Sequence, residues 1–517
     1  MSKPGKVGYI LIVFCAIVML FGCPDEMDQL TSGQYNDFLW EIIDGKMTIT
    51  GYTGTAAEVI IPKRIHGLSV TDIGILAFSR NYGVKKVTGE SVTNIRAFAF
   101  SGNTGLIGVS FPAVTTIEHH AFWWCLALTE ISFHASASIG RAAFADCISL
   151  SNFKLTGTGD LSVIKDGRVL VRNGTTLIAY PTASGSIFFN DITSIDDGVF
   201  HNNKNITSVS FPVVTTIGNY AFMDCTGLSE VNFPAAITIG ERAFRNNTSL
   251  TSVSFPAVTT IGNVAFSGNT SLTDITFPAA TSIGNSAFWN NTGLTSASFP
   301  AAITIGSGAF SGNTSLTYVS FPASASIGRN AFLDCTSLSN FKLTGTGDLS
   351  VIKDGRVLVR NGTTLIAYPT ASGSIFFNDI FSIDDGVFSG NTNITSASFP
   401  ATITIGSGAF SGNTSLISAS FPSVTTIGVG AFSGNTNLTS VSFPAATAIG
   451  DWAFSGNTSL TSVTLGTVPA ANFGVYAFGR NDTSIGNLRH VYFSENGGAG
   501  TYTRVLPSLE WTRTGGP

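Results

Sequence analysis

Apolar and polar positions recur along this chain with a single period. The stretch Leu250 to Ser271, LTSVSFPAVTTIGNVAFSGNTS, is followed by copies that open at Leu272, Leu294, Leu316 and Leu338, each 22 residues further on. Within the unit, Val253 and Phe255 lie two residues apart and point to one face of a strand. Pro256 cannot donate to a ladder and ends that strand. Gly262 suits a tight bend, Phe266 supplies a large buried wedge, and Ser267-Gly268-Asn269 turns the chain back. A fixed period in the twenties predicts a solenoid, in which each unit buries its apolar side only against its neighbours. The expected fold is therefore mostly β, one coil per unit, with short strands stacked in a parallel sheet.

The wedge phenylalanine marks the coils: 78, 100, 122 and 144, then 200 to 332 and 388 to 454 in steps of 22, and finally 478. That predicts 16 coils, which at about 4.8 Å per strand form a rod on the order of 75 Å long. Two gaps interrupt the count, with insertions in residues 151–205 and 339–393. Residues 151–200 and 339–388 are identical except for Thr193 against Phe381, so a block of 188 residues has been duplicated. Each insertion contains DLSVIKDGRVLVRNGTTLIAYP, which reads as strands joined at Asp166-Gly167 and Asn173-Gly174 in the first copy. The simplest expectation is an enlarged coil with a hairpin pushed out from one side. Residues 38–56 carry FLWEIIDGKMTITG, an alternating run around Asp44-Gly45, and predict a hairpin that caps the N-terminal end. Repeats are expected over residues 57–466, and a last coil with a C-terminal cap over residues 467–517, where Asn487 to Pro517 hold another alternating run, a Gly-rich turn and Trp511.

The strand pattern L-x-x-V-x-F-P and the return pattern I-G-x-x-A-F-x-x-N/C, as at Leu228 to Asn247 and Leu416 to Asn435, resemble the BspA-like leucine-rich repeat family of surface proteins. The opening IPKRIHGLSVTDIG also resembles that family's first repeat. The usual family repeat runs about one residue longer, so the match is to the pattern rather than the period. The resemblance extends over roughly residues 38–517 and implies a leucine-rich-repeat solenoid. For function it implies partners such as host extracellular-matrix proteins or the surfaces of other cells.

Ahead of the repeats, Lys3 and Lys6 precede an apolar run from Val7 to Phe21, the pattern of a signal peptide over residues 1–22. Leu20-Phe21-Gly22-Cys23 resembles a bacterial lipobox, which makes Cys23 the candidate lipidation site; the alternative is an ordinary signal peptide cut elsewhere. Residues 23–37 read as an acidic tether. The expected protein is exported and lipid-anchored to the bacterial outer membrane or cell surface, touching the membrane through that anchor only.

Composition removes several function classes. Charged residues make up 11 % of the chain and the net charge is −5, so no basic patch supports a nucleic-acid partner. Cys125, Cys147, Cys225 and Cys335 each sit three residues before the anchor leucine, where other coils place Asn247, Asn269 or Asn435. They read as buried ladder substitutions, with a disulfide between Cys125 and Cys147 geometrically open because their coils are adjacent. No C-x-x-C, H-E-x-x-H, G-x-S-x-G or phosphate-loop pattern occurs, so neither metal, cofactor nor enzymatic activity is expected. Asp196-Asp197 and Asp384-Asp385 read as solvated turn residues.

Departures from the repeat consensus carry the remaining signal. Trp123-Trp124 replaces Ser267-Gly268, Trp289 replaces the same serine, and Tyr220 and Trp452 replace Val264. Tyr318 stands at a strand offset expected to be exposed. Exposed aromatics commonly anchor binding surfaces, so Trp123, Trp124, His119, His120, Trp289 and Tyr318 are the candidate ligand-binding residues; the alternative is that the rings shield coil corners. Columns such as Thr251 and Ser254, Thr273 and Thr276, predict a hydroxyl-rich strand face. The expected function is adhesion or protein binding at the cell surface, and the alternative is a non-catalytic structural scaffold of the cell envelope with no specific ligand.

Overall fold

The computed structural model describes residues 31–479, 488–494, 497–506 and 510–516. The expected signal peptide and Cys23 lie outside the described residues. Each regular coil contributes one long and one short strand. Asp274–Thr276 pairs in parallel with Ser296–Ser298, and that strand pairs with Tyr318–Pro322. Thr260–Ile261 pairs with Ser282–Ile283, which pairs with Thr304–Ile305. Between the two ladders the phenylalanines form two columns: Phe277 stacks on Phe299 at 5.6 Å, and Phe266 on Phe288 at 5.4 Å. The columns touch edge to face, as where Phe255 meets Phe266 at 5.7 Å and 68°. Register one period apart sets ring above ring, so the repeat itself creates the packing.

Two polar devices hold the coils in that register. Buried Asn247 donates its backbone N–H to Asn269 Oδ1 at 2.7 Å, Asn269 to Asn291 at 2.6 Å, and Asn291 to Asn313 at 2.8 Å. The hydroxyl columns are spent in the same way, with Thr295 Oγ1 donating to the Thr273 carbonyl and Thr317 Oγ1 to that of Thr295, both at 3.1 Å. The four cysteines are free and buried. Cys125 and Cys335 donate their thiols to the Phe100 and Phe310 carbonyls at 3.1 and 3.0 Å, the contact that Asn313 Nδ2 makes with Phe288. At the corner between the ladders, a Cβ on Gly262 would stand 2.6 Å from the Gly240 carbonyl carbon. Successive corners thus touch backbone to backbone, which is why glycine recurs there.

The insertions differ from expectation. Leu161–Ile164, Val169–Arg172 and Thr176–Ala179 form an antiparallel meander whose third strand runs parallel to Ser194–Ile195. No hairpin is pushed out: Val169, Leu170 and Val171 are fully buried. The alternation along these strands serves two cores. Leu161, Leu170 and Ile178 pack with the preceding coils, while Val169, Val171 and Leu177 pack with the following ones. In the second copy Leu349 and Leu358 face back, and Val357, Val359 and Leu365 face forward. A strand buried on both faces reads as a nearly continuous apolar run, as in Val169-Leu170-Val171.

The N-terminal cap is the same device. Ser32–Tyr35, Phe38–Ile43 and Lys46–Tyr52 form an antiparallel meander whose last strand is parallel to Leu68–Ile73. The cap therefore reaches back into the segment expected to be a tether. Ser32–Tyr35 is an exposed edge strand, so it packs no core and carries no apolar alternation to betray it. Each of the three meanders closes on a tyrosine that heads the phenylalanine column: Tyr52 lies 5.6 Å from Phe78, Tyr180 6.2 Å from Phe200, and Tyr368 6.3 Å from Phe388. These tyrosine-headed turns bring the solenoid to about 19 turns, where the phenylalanines alone counted 16. Three blocks thus follow one another, each opened by a meander and each with its own core. The C-terminal edge is closed by Gly500–Thr503 pairing antiparallel with Ser462–Leu465, and Thr512–Gly515 outside it. Trp511 and Tyr502 are buried there as expected of a cap, but Leu488–Tyr492 is a short helix instead of part of an alternating strand.

Candidate binding surface at the coil corners

The return segment of a coil needs two left-handed residues. One is the Val264 position, filled by Gly308, Gly408 and Gly430 elsewhere; the other is the Gly268 position, filled by Gly312, Gly412 and Gly434. Such backbone favours glycine, and a bulky residue there costs about 1 kcal/mol. His120 and Trp124 occupy these two positions in one coil, at φ of +55° and +61°.

Around them the corners of neighbouring coils assemble an aromatic and imidazole cluster. The His120 ring stacks on Phe98 at 5.0 Å and 3°, His119 meets the same ring edge-on at 5.4 Å, and Trp123 meets His120 at 6.0 Å. Burial of the ring, and then the charges of His119, Arg141 and His201, hold the His120 imidazole below its ordinary value. Trp123 Nε1 donates to Asp146 Oδ2 at 2.9 Å, and His201 Nδ1 lies 3.2 Å from Asp146 Oδ1. Trp123 remains 37 % exposed and Trp124 46 % exposed.

Of the residues singled out by sequence, the structure gathers His119, His120, Trp123 and Trp124 on adjoining corners. Trp289 and Tyr318 are elsewhere. Trp289 is exposed in a distant coil, where Ser267 and Ser311 on either side of it are buried while Ser411 and Ser433 at the same position are half-buried. Its ring therefore shields the corners beside it. Tyr318 is half-buried in its long strand, not exposed. Tyr220 accepts a hydrogen bond from Arg242 at 2.8 Å, and Trp452 stacks on Tyr476 at 4.8 Å, so both pack on the next corner.

Two participants were not legible as such. His201 and Asp146 are 55 residues apart, and only the inserted meander brings the coil of Phe200 onto that of Phe144. The available signal was positional: Trp123, Ala145 and His201 each follow a wedge phenylalanine. Asp197 was read as a solvated turn residue. It instead pairs with Arg141 Nε at 2.6 Å across the junction, and Asp385 pairs with Arg329 at 3.1 Å across the second one. The neighbouring Asp196 carboxyl is pushed up, chiefly by burial. Among the described residues no group of three or more His, Cys, Asp or Glu is placed to hold a metal ion, and no helix is long and apolar enough to cross a membrane.

Three solved proteins are among those similar to this chain. A leucine rich cell surface protein from Faecalibacterium prausnitzii is 21 % identical, with 85 % of this chain and 95 % of that one covered, at a TM-score of 0.28. A leucine-rich repeat protein from Bacteroides ovatus is also 21 % identical, over 75 % of this chain and 94 % of that one, at 0.37. A pneumococcal vaccine antigen is 15 % identical, over 84 % and 82 %, at 0.31. No curated protein matches the sequence. The family model described as BspA type leucine rich repeat region matches residues 59–167, 184–295, 237–355 and 372–495. With well over half of its length matched, and with a two-ladder coil repeated along it, the chain belongs to the BspA-type leucine-rich repeat family.

Proposed function

We infer that this protein is a non-catalytic bacterial surface protein, exported and lipid-anchored through Cys23, whose solenoid binds protein or glycan ligands on host matrix or on other cells. The observation that carries the reading is Trp124. It accepts a left-handed backbone that nearly all other coils give to glycine, asparagine or aspartate, and it leaves 46 % of its surface in solvent. Its backbone cost is not repaid by burial, which marks the residue as selected for what its ring meets. Trp123, His119 and His120 form the surround, with Trp123 fixed by Asp146 and so pre-ordered for contact.

The test is binding of the purified rod to a panel of matrix proteins and glycans, with Trp124→Ala and Trp123→Ala beside the parent chain. Saturable binding to one panel member, weakened by Trp124→Ala at unchanged melting temperature, supports adhesion through this corner. Protease treatment of intact cells checks the display, since a surface rod is shaved and a periplasmic one is spared. One observation favours the second reading, a structural scaffold of the envelope: the hydroxyl columns and several corner aromatics are bonded within the stack. A folded rod that binds nothing on the panel would favour that reading instead.

A further inference from the structure

The two inserted meanders are nearly identical, yet the junctions they create are not. Away from these junctions, in the coils from Phe78 to Phe432, the wedge phenylalanine and the residue two further on both donate backbone N–H groups to the next coil, as Phe122 and Trp124 do to Ala143 and Ala145. Among the described residues neither Phe144 and Asp146 nor Phe332 and Asp334 make that pair of bonds across a junction, so the corners part there. At both junctions an arginine–aspartate pair ties the walls, Arg141 to Asp197 and Arg329 to Asp385. What lies between the walls differs.

At the first junction the chain closes the gap itself. Asp146 is 6 % exposed and receives one N–H on each carboxylate oxygen, the Trp123 indole on Oδ2 at 2.9 Å and the His201 imidazole facing Oδ1 at 3.2 Å. The hollow remaining beside it does not reach Asp146. At the second junction, 188 residues on, the same places hold Ser311 and Ser389. Neither serine reaches Asp334, and among the described residues no side chain bonds its carboxylate, which is exposed at the mouth of a small, open hollow. Asn330, Phe332, Gly390 and Asn391 line the hollow beside it. Partial burial already pushes the Asp334 carboxyl above its ordinary value. Arg329 is engaged by Asp385 and leaves Asp334 without a counter-charge.

We propose that this second-junction cleft binds an arginine side chain presented by a protein partner. The first junction shows what the carboxylate takes in this setting: two N–H donors held in planar groups, one per oxygen. A guanidinium delivers both from one planar fork and adds the charge that Asp334 lacks. A lysine ammonium offers no such fork and matches the geometry less well. The proposal rests on the protein-binding reading only for where the arginine comes from; the cleft's preference is a property of this chain.

The test uses the intact chain and N-acetyl-L-argininamide as probe, followed by backbone amide NMR, with the lysine analogue as comparison. The expected result is saturable shifts at Gly386, Gly390 and Asn391, none at Gly198 and Asn203 of the first junction, and weaker binding of the lysine analogue. Asp334→Asn is expected to reduce affinity by about tenfold or more, as loss of a charge-assisted pair entails. Asparagine is native to this left-handed position at Asn246 and Asn290, so the variant is expected to fold. The double variant Ser311→Trp with Ser389→His rebuilds the first junction and is expected to abolish binding. Absence of saturable shifts, equal response to the lysine analogue, or an unchanged response in Asp334→Asn overturns the proposal. Because the probe is an amino-acid derivative, that failure leaves the matrix-binding panel untouched, and a silent panel leaves this titration untouched.

Discussion

Replacing Asn269 tests the idea that a buried amide ladder, and not only apolar stacking, keeps the coils in register. Asn269 Oδ1 accepts the Asn247 backbone N–H at 2.7 Å, and its Nδ2 donates to the Phe266 carbonyl at 2.7 Å, all fully buried. Asn269→Ala removes both bonds. An unmade buried hydrogen bond costs about 1–3 kcal/mol, so the loss of both is expected to cost about 2–6 kcal/mol. Asn269→Cys is expected to cost about 1 kcal/mol, because the chain already shows how cysteine is accommodated. Cys225 donates its thiol to the Phe200 carbonyl at 2.9 Å, and the N–H of Asn203, one coil earlier, turns to that same carbonyl at 3.0 Å. Asn103 and Asn313 make the same retreat before Cys125 and Cys335. A solenoid unfolds by neighbours and not as one unit. The assay is therefore amide hydrogen exchange across residues 247–291 alongside urea unfolding. Cysteine as damaging as alanine, or unchanged exchange at Asn247 in both variants, would refute the ladder's energetic role.

Three further outcomes are expected. Gly262→Ala brings a Cβ to 2.6 Å from the Gly240 backbone, a clash that neither corner relieves by a side-chain rotation, and it lowers stability by about 1–3 kcal/mol in urea unfolding. His120 has its imidazole held below the ordinary value chiefly by burial, so the unfolded chain binds the proton more readily than the folded one. Stability contributed here is present above the unfolded value near pH 6.5 and falls on acidification below it; pH-dependent melting of His120→Phe is expected to lack that component. The Cys335 thiol is pushed up to about 12 by burial, and all four described cysteines are buried. A thiol reagent at neutral pH is accordingly expected to label none of the four in the folded chain and all of them in denaturant.

Much of this is legible in the sequence. Leu250, Val253, Phe255 and Phe266 define a coil because only a buried column needs the same large apolar residue at every turn. The placement of the cysteines in the asparagine column was equally legible, since their offset from the anchor leucine matches. The meander strands were recognised, but their place was not. Val169-Leu170-Val171 carries no mark distinguishing a protruding hairpin from a layer buried on both faces, because a short apolar run fits either. The first cap strand, Ser32–Tyr35, was hidden for the opposite reason: an exposed edge strand asks nothing of its side chains.

The candidate surface divides in the same way. Trp123-Trp124 and His119-His120 stood out as departures from a strict repeat, and position within the coil alone assigned them to a corner. Their partnership with Asp146 and His201 depends on which coil follows which in space. An insertion of 34 extra residues changes that neighbour without changing the period. The sequence by itself determined the coil, its period and its buried columns, since these follow from interactions between identical neighbours one repeat apart. Only the tertiary structure decided that the chain is three abutting blocks and that two duplicated junctions differ in what fills them. Those contacts join residues the periodic pattern leaves unrelated, and their energies depend on distances that no local spacing encodes.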